Sequence, residues 1–98
     1  MSKDLVFDFD PEKSKKLKEE RGVSFEEVIV LLDGHHILDI VEHHNKSKYP
    51  HQKIYIVNIE GYAYLVPFVA QGERIFLKTV IPSRKASEQY LESKRRKK

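Results

Sequence analysis

Cysteine is absent from this 98-residue chain, which excludes disulfides and every thiolate zinc site. No apolar run approaches the roughly 20 residues that a membrane helix needs. The opening MSKDLVFDFD alternates apolar with acidic residues and lacks an apolar signal-peptide core, so nothing suggests export. There is no P-loop, no GxGxxG, no GxSxG and no HExxH, and nothing in the pattern demands a cofactor or a metal. A single cytosolic domain with one core is the simplest expectation for this length and composition.

Excess charge of one sign is also scarce outside one short segment. The formal net charge is +3. Met1 to Asp33 holds 6 Lys/Arg against 9 Asp/Glu, Gly34 to Ile81 holds 5 against 4, and Pro82 to Lys98 holds 7 against 2. Without Lys94–Lys98 the balance is 13 against 15. The basic character therefore belongs largely to a terminal tail, with residues 1–93 as the domain and 94–98 as its extension. Such a tail either binds polyanions or is a solvated end.

What is present is β-rich sequence. Lys53 to Ile81 reads KIYIVNI, EG, YAYLVPFVA, QGE, RIFLKTVI, three strand-like runs broken by two Gly-containing turns, the pattern of an antiparallel meander. Alternation puts Arg74, Phe76, Lys78 and Val80 on one face, and Ile75, Leu77, Thr79 and Ile81 on the other. It also puts Tyr62, Tyr64, Val66 and Phe68 on one face of the run before. Pro67 cannot donate to a ladder, so it predicts a bulge or an edge position. Two cations flanking a Phe are suited to hold phosphate and stack a base. They equally suit a solvated sheet face whose cations discourage edge pairing.

The flanking segments read as cover for this sheet. Leu5 to Phe9 alternates as a short first strand. Asp10-Pro11 starts a helix that runs to about Glu20 and closes at Arg21-Gly22. Leu17 is almost its only large apolar residue, so it packs lightly. Ser24-Phe25-Glu26-Glu27 is a capping box, with Val23 placed to staple onto Val28. The helix it opens runs to Leu32 and is apolar almost all round after its first turn, so it fills the core. Ile37 to His43 reads as a strand, His44 to Gln52 as a polar loop, and Arg84 to about Lys94 as a closing helix with Ala86, Tyr90 and Leu91 inward. The sum is an α+β domain: an antiparallel meander packed against two N-terminal helices, with a C-terminal helix.

Five histidines, at 35, 36, 43, 44 and 51, invite a metal reading, but adjacent residues on a strand point to opposite faces, so neither pair is a ready chelate. Beside Lys46, Lys48 and Tyr49 they suit proton transfer near neutrality, and each equally suits an ordinary polar loop.

Two segments resemble the BrnT family of toxins from bacterial type II toxin–antitoxin systems. FDFDPEKSKKLKEERGVSFEEV, Phe7 to Val28, is similar to the family's opening: an aromatic-and-acidic strand, Asp-Pro, a helix, then a Gly-Val-Ser-Phe-Glu-Glu step. IPSRKASEQYLE, Ile81 to Glu92, is similar to its closing Ile-Ser-Ala-Arg-Lys-Ala and following helix. The middle departs from the family, with Thr79 where an Arg often stands, Lys78 one step earlier on the other face, and Pro82 in place of a small Ser. The resemblance implies a RelE-like α+β fold, metal-independent ribonuclease activity on mRNA, no cofactor, and neutralisation by a cognate antitoxin. By motif, Arg84 and Lys85 occupy the closing basic pair.

Metal-free RNA cleavage turns the 2′-hydroxyl on the adjacent phosphate. It needs a base, cations for the developing charge, and an acid for the leaving oxygen. Arg74, Lys78 and Arg84 are the candidates for charge stabilisation. His43 or His51 is the acid–base candidate, Tyr49 or Tyr64 the base-stacking surface, and Lys85 a further RNA contact. Two other classes stand beside this one: a non-catalytic nucleic-acid-binding module driven by the basic tail, and a protein-interaction module docking through its sheet or first helix.

Overall fold

A computed structural model of the chain describes residues 5–32, 35–43, 45–48 and 50–92. β1 (Val6–Asp8) leads into α1 (Pro11–Arg21). The Asp10 side chain accepts from Glu12 N–H at 3.0 Å, and Gly22 ends the helix with φ 77°, its N–H donating to Lys18 O, a left-handed cap that favours glycine. α2 (Phe25–Leu31) opens on the full capping box: Ser24 Oγ accepts from Glu27 N–H, and Glu27 Oε1 accepts from Ser24 N–H, both at 3.2 Å.

The two helices are joined by Ser14. Its buried hydroxyl donates to Glu26 Oε1 (2.6 Å) and accepts from Phe25 N–H (3.0 Å). A short side chain is required there because two backbones approach. α2 buries one face and not all of its surface: Phe25 and Val28 are fully buried, whereas Val30 is 72% exposed. Apolar composition alone overstated its burial, because a seven-residue helix lying on a sheet has only one face to cover.

The sheet is mixed and mostly antiparallel: β2 (Ile37–Glu42), β3 (Gln52–Ile59), β4 (Tyr62–Gln71), β5 (Arg74–Leu77) and a two-residue β6 (Ile81–Pro82) join β1. The order is β1-β5-β4-β3-β2, with β1 parallel to β5 and β6 paired to β4. The expected meander is β3-β4-β5. β1 caps its far edge, which a purely antiparallel reading omits.

The third run of the meander does not stay in phase. β5 ends at Leu77, and the chain re-pairs with β4 only at Ile81–Pro82, so Val80 turns inward and is fully buried while Ile81 is 38% exposed. This interruption also explains Pro67. It lies inside β4 with unbroken pairing to β3, at neither a bulge nor an outer strand. Its carbonyl accepts from Lys78 N–H (2.8 Å). The amide nitrogen and carbonyl of a strand residue point to the same side, so the missing donor faces Lys78, and β5 ends at Leu77, just before the ladder bond that a proline cannot make.

Each sheet face carries its own cluster. On one, Phe25, Val28 and Leu17 pack with Tyr55, Val57 and Val66, and the cluster extends over Phe68, Ile75, Leu77 and Val80. On the other, Ala86 packs with Ile56 and Ala63, flanked by Leu38, Val41, Leu65, Tyr90 and Leu91. The closing helix α3 (Arg84–Ser87) widens into a π turn over Glu88–Glu92. Ser83 caps it, and buried Ser87 accepts from Ala63 N–H (2.8 Å) while donating to Ser83 O. The Ser-Arg-Lys-Ala-Ser run thus needs its small residues at 86 and 87 for contact with β4, which leaves Arg84 and Lys85 on the exposed side. The tail 94–98 lies outside the described residues.

Candidate nucleic-acid interface

Residues directly opposite each other in a sheet share a face. The pairs Gln71↔Arg74, Val69↔Phe76 and Phe68↔Leu77 place Phe68 and Leu77 toward α1 and α2. Arg74 and Phe76 therefore point to the α3 face. Lys78 follows: its Nζ lies 5.5 Å from the centre of the exposed Phe76 ring, a cation–π contact. Because α3 packs on the same face, Arg84 and Lys85 stand on this side too. The predicted cations are thus brought to one side of the sheet. Around them Val6 and Phe76 are exposed, and Val69, Pro67 and Ile54 are half-buried, outside the cluster that α3 covers.

Two of these cations already have carboxylate partners. Arg74 Nη1 donates to Asp8 Oδ2 on β1, a residue the sequence reading left unused. Arg84 lies 3.8 Å from Glu88, one helical turn on. All four groups are well exposed, so the pairs are readily exchanged for another anion.

The acid–base candidates lie elsewhere. His43 extends β2, its backbone N–H donating to Gln52 O (3.2 Å), and its Nδ1 accepts from Asn45 N–H (3.0 Å). His51 sits exposed in the turn before β3. Row by row, His43 stands opposite Gln52, Gln52 opposite Val69, and Val69 opposite Phe76. Three strand spacings separate His43 from Phe76, roughly 14 Å, well beyond the reach of a shared proton transfer. Tyr49 and His44 lie outside the described residues.

Tyr64 belongs to the opposite face. It pairs with fully buried Val57, packs against the helix-side cluster, and meets Tyr62 edge-on at 5.9 Å between ring centres. It cannot stack a base held by Arg74 and Lys78. Alternation within each strand alone does not give this placement, because the phase between strands is set only by their register.

Tyr62 and Tyr64 instead wall a cleft of about 820 Å³. It runs between the C-terminal end of α1 (Lys18, Arg21), the outward side of α2 (Glu27, Val30) and the β3–β4 hairpin (Ile59, Glu60). Arg21 Nη1 donates to Val80 O at 2.6 Å, and Lys18 Nζ meets Glu27 Oε2 at 2.6 Å. Lys18 and the capping contact with Ser24 hold the Glu27 carboxyl below its usual range. Arg21 was read only as a helix terminator; its position opposite an aromatic hairpin depends on the fold.

Among the described residues no group of three His, Asp or Glu side chains converges as a metal site, and no helix is long and apolar enough to cross a membrane. Comparison of the chain with family models, curated proteins and solved structures finds no match.

Proposed function

We propose that this protein is the toxin of a type II toxin–antitoxin pair, with a RelE-like arrangement of its α+β fold, acting on mRNA as a metal-independent ribonuclease and restrained by a cognate antitoxin. The reading joins the BrnT resemblance of the two terminal segments to one observation: Arg74, Lys78 and Arg84 lie on one side of the sheet with an exposed Phe76 between the strand cations. Guanidinium forks bind phosphate oxygens in pairs, and an exposed ring beside them is a stacking surface for an unpaired base.

A second reading, RNA binding without cleavage, is favoured by the distance of His43 from these cations, three strand spacings or roughly 14 Å from Phe76 along the same face. A surface of cations and an aromatic ring binds a strand, whereas cleavage also requires a proton donor within hydrogen-bond reach of the phosphate.

Induction of the chain in bacteria, with and without its adjacent open reading frame, separates the two. Growth arrest with RNA breakdown, relieved by the neighbour and abolished by Arg74→Ala/Lys78→Ala/Arg84→Ala, is the expected result. Verified soluble expression with intact RNA, but salt-sensitive RNA binding lost in the same variant, selects the second reading. Neither breakdown nor binding rejects both.

A further inference from the structure

The cleft on the helix side of the sheet belongs to none of this. Its volume, about 820 Å³, falls within the range of small-molecule sites. Its wall contains an exposed Tyr62 set edge-on to Tyr64, with Val30 more exposed than any other large apolar side chain among the described residues. Arg21 is its distinctive group. Lys18 in the same wall meets the Glu27 carboxylate, whereas among the described residues the partner seen for Arg21 is the Val80 carbonyl. That bond ties α1 to the link between β5 and β6 and fixes where the guanidinium sits. It uses one N–H and leaves the rest of the planar fork for an anion. A helix C-terminus favours a cation at this position, which explains the charge but not a cleft with tyrosines facing it. The neighbouring Glu27 is neutralised by Lys18, so the repulsion left for an anion comes from Glu60 in the hairpin turn.

We propose that this cleft binds a nucleotide, its base against Tyr62 and its phosphate on Arg21. An aromatic ring carrying an anionic group answers both features at once: the ring covers Tyr62 and Val30, and the phosphate meets the Arg21 guanidinium. The ligand is either a free mononucleotide or the 5′-phosphorylated end of an RNA strand. The site stands on the far side of the sheet from Arg74 and Lys78 and does not rest on the ribonuclease reading.

The test titrates the full chain with adenosine 5′-monophosphate, adenosine and inorganic phosphate, followed by ¹H–¹⁵N shifts and by tyrosine fluorescence, which no tryptophan masks. Saturable shifts at Arg21, Val30 and Tyr62 are expected. A charge-assisted phosphate contact should make the nucleotide bind about tenfold tighter than adenosine or phosphate alone. Arg21→Gln reduces the nucleotide to the adenosine level, Arg21→Lys restores part of the difference, and Tyr62→Leu weakens nucleotide and nucleoside together. Absence of saturable shifts in the cleft, shifts centred on Arg74 and Lys78, or an Arg21→Gln chain that keeps its folded spectrum and full nucleotide affinity overturns the proposal. If Arg21→Gln does not fold, Tyr62→Leu decides, and unchanged affinity there overturns it equally. Competition by a 5′-phosphorylated oligoribonucleotide, and not by its 5′-hydroxyl form, assigns the strand end as ligand; no competition by either assigns the free nucleotide.

Discussion

Asp8 holds Arg74 across the β1–β5 pairing, two side chains 66 residues apart in the sequence joined by one ion pair on the open sheet face. The parallel register sets Val6 opposite Arg74 and Asp8 opposite Phe76, so the carboxylate reaches diagonally to the guanidinium. Under the proposed RNA reading, it competes with a phosphate for the Arg74 guanidinium.

Replacing Asp8 by Asn therefore strengthens RNA binding. The variant should bind single-stranded RNA several-fold more tightly, and the slope of log affinity against log salt should steepen by about one. Thermal stability should change by less than about 1 kcal/mol, because both partners are exposed. Fluorescence anisotropy at several salt concentrations, beside a denaturant melt, checks both parts. Weaker RNA binding would instead make Asp8 a support for Arg74.

Ser14→Ala removes the hydroxyl that serves both the buried Phe25 N–H and the Glu26 carboxylate. The backbone donor is left without a partner in the core, which costs about 1–3 kcal/mol. Urea unfolding should show the midpoint falling with the slope unchanged. A loss of only a few tenths of a kcal/mol would mean that water replaces the hydroxyl.

Acid should loosen the two helices. The Ser14 hydroxyl, with the Glu26 backbone, lowers the Glu26 carboxyl below its usual range; the Lys18 ammonium does the same to Glu27. A carboxyl lowered in the folded state contributes stability that is complete above its unfolded pKa and is lost as pH falls through the folded one. The melting temperature should hold near neutrality and drop below about pH 4. Lys18→Met should make that drop shallower, which melts at stepwise pH would show.

Pro67→Ala should be mild. The residue-67 nitrogen faces Lys78, whose N–H already bonds the Pro67 carbonyl, so the alanine N–H meets the Lys78 carbonyl and gains a bond of about 0.5–1.5 kcal/mol, while the unfolded chain gains freedom of about 0.4–1 kcal/mol. The two offset, and a net change within about 1 kcal/mol of zero is expected in a urea melt. A larger loss would show that the alanine N–H finds no acceptor at Lys78.

Local structure was legible where neighbouring residues decide it. The Asp10 and Ser24 caps, the Gly22 stop, the three meander runs and the inward Ala86, Tyr90 and Leu91 follow from spacing and side-chain chemistry within a few residues. The β5–β6 interruption was not. RIFLKTVI alternates to its end as a sequence, and only the pull of Val80 into the helix-side core breaks the phase. Val30 was misjudged for a related reason, since an apolar run does not say how many sides of a helix will find a neighbour.

The candidate site divides in the same way. Sequence by itself determined that Arg74, Phe76 and Lys78 share a face and that Arg84 and Lys85 sit in the first turn of the closing helix, because alternation and capping are local. Tertiary structure alone decided that α3 joins those cations on one side, that Tyr64 faces the other, that His43 stands three strands from Phe76, and that Asp8 meets Arg74. Strand register and order carry this information. They are set by contacts between residues far apart in the chain, which no local period encodes.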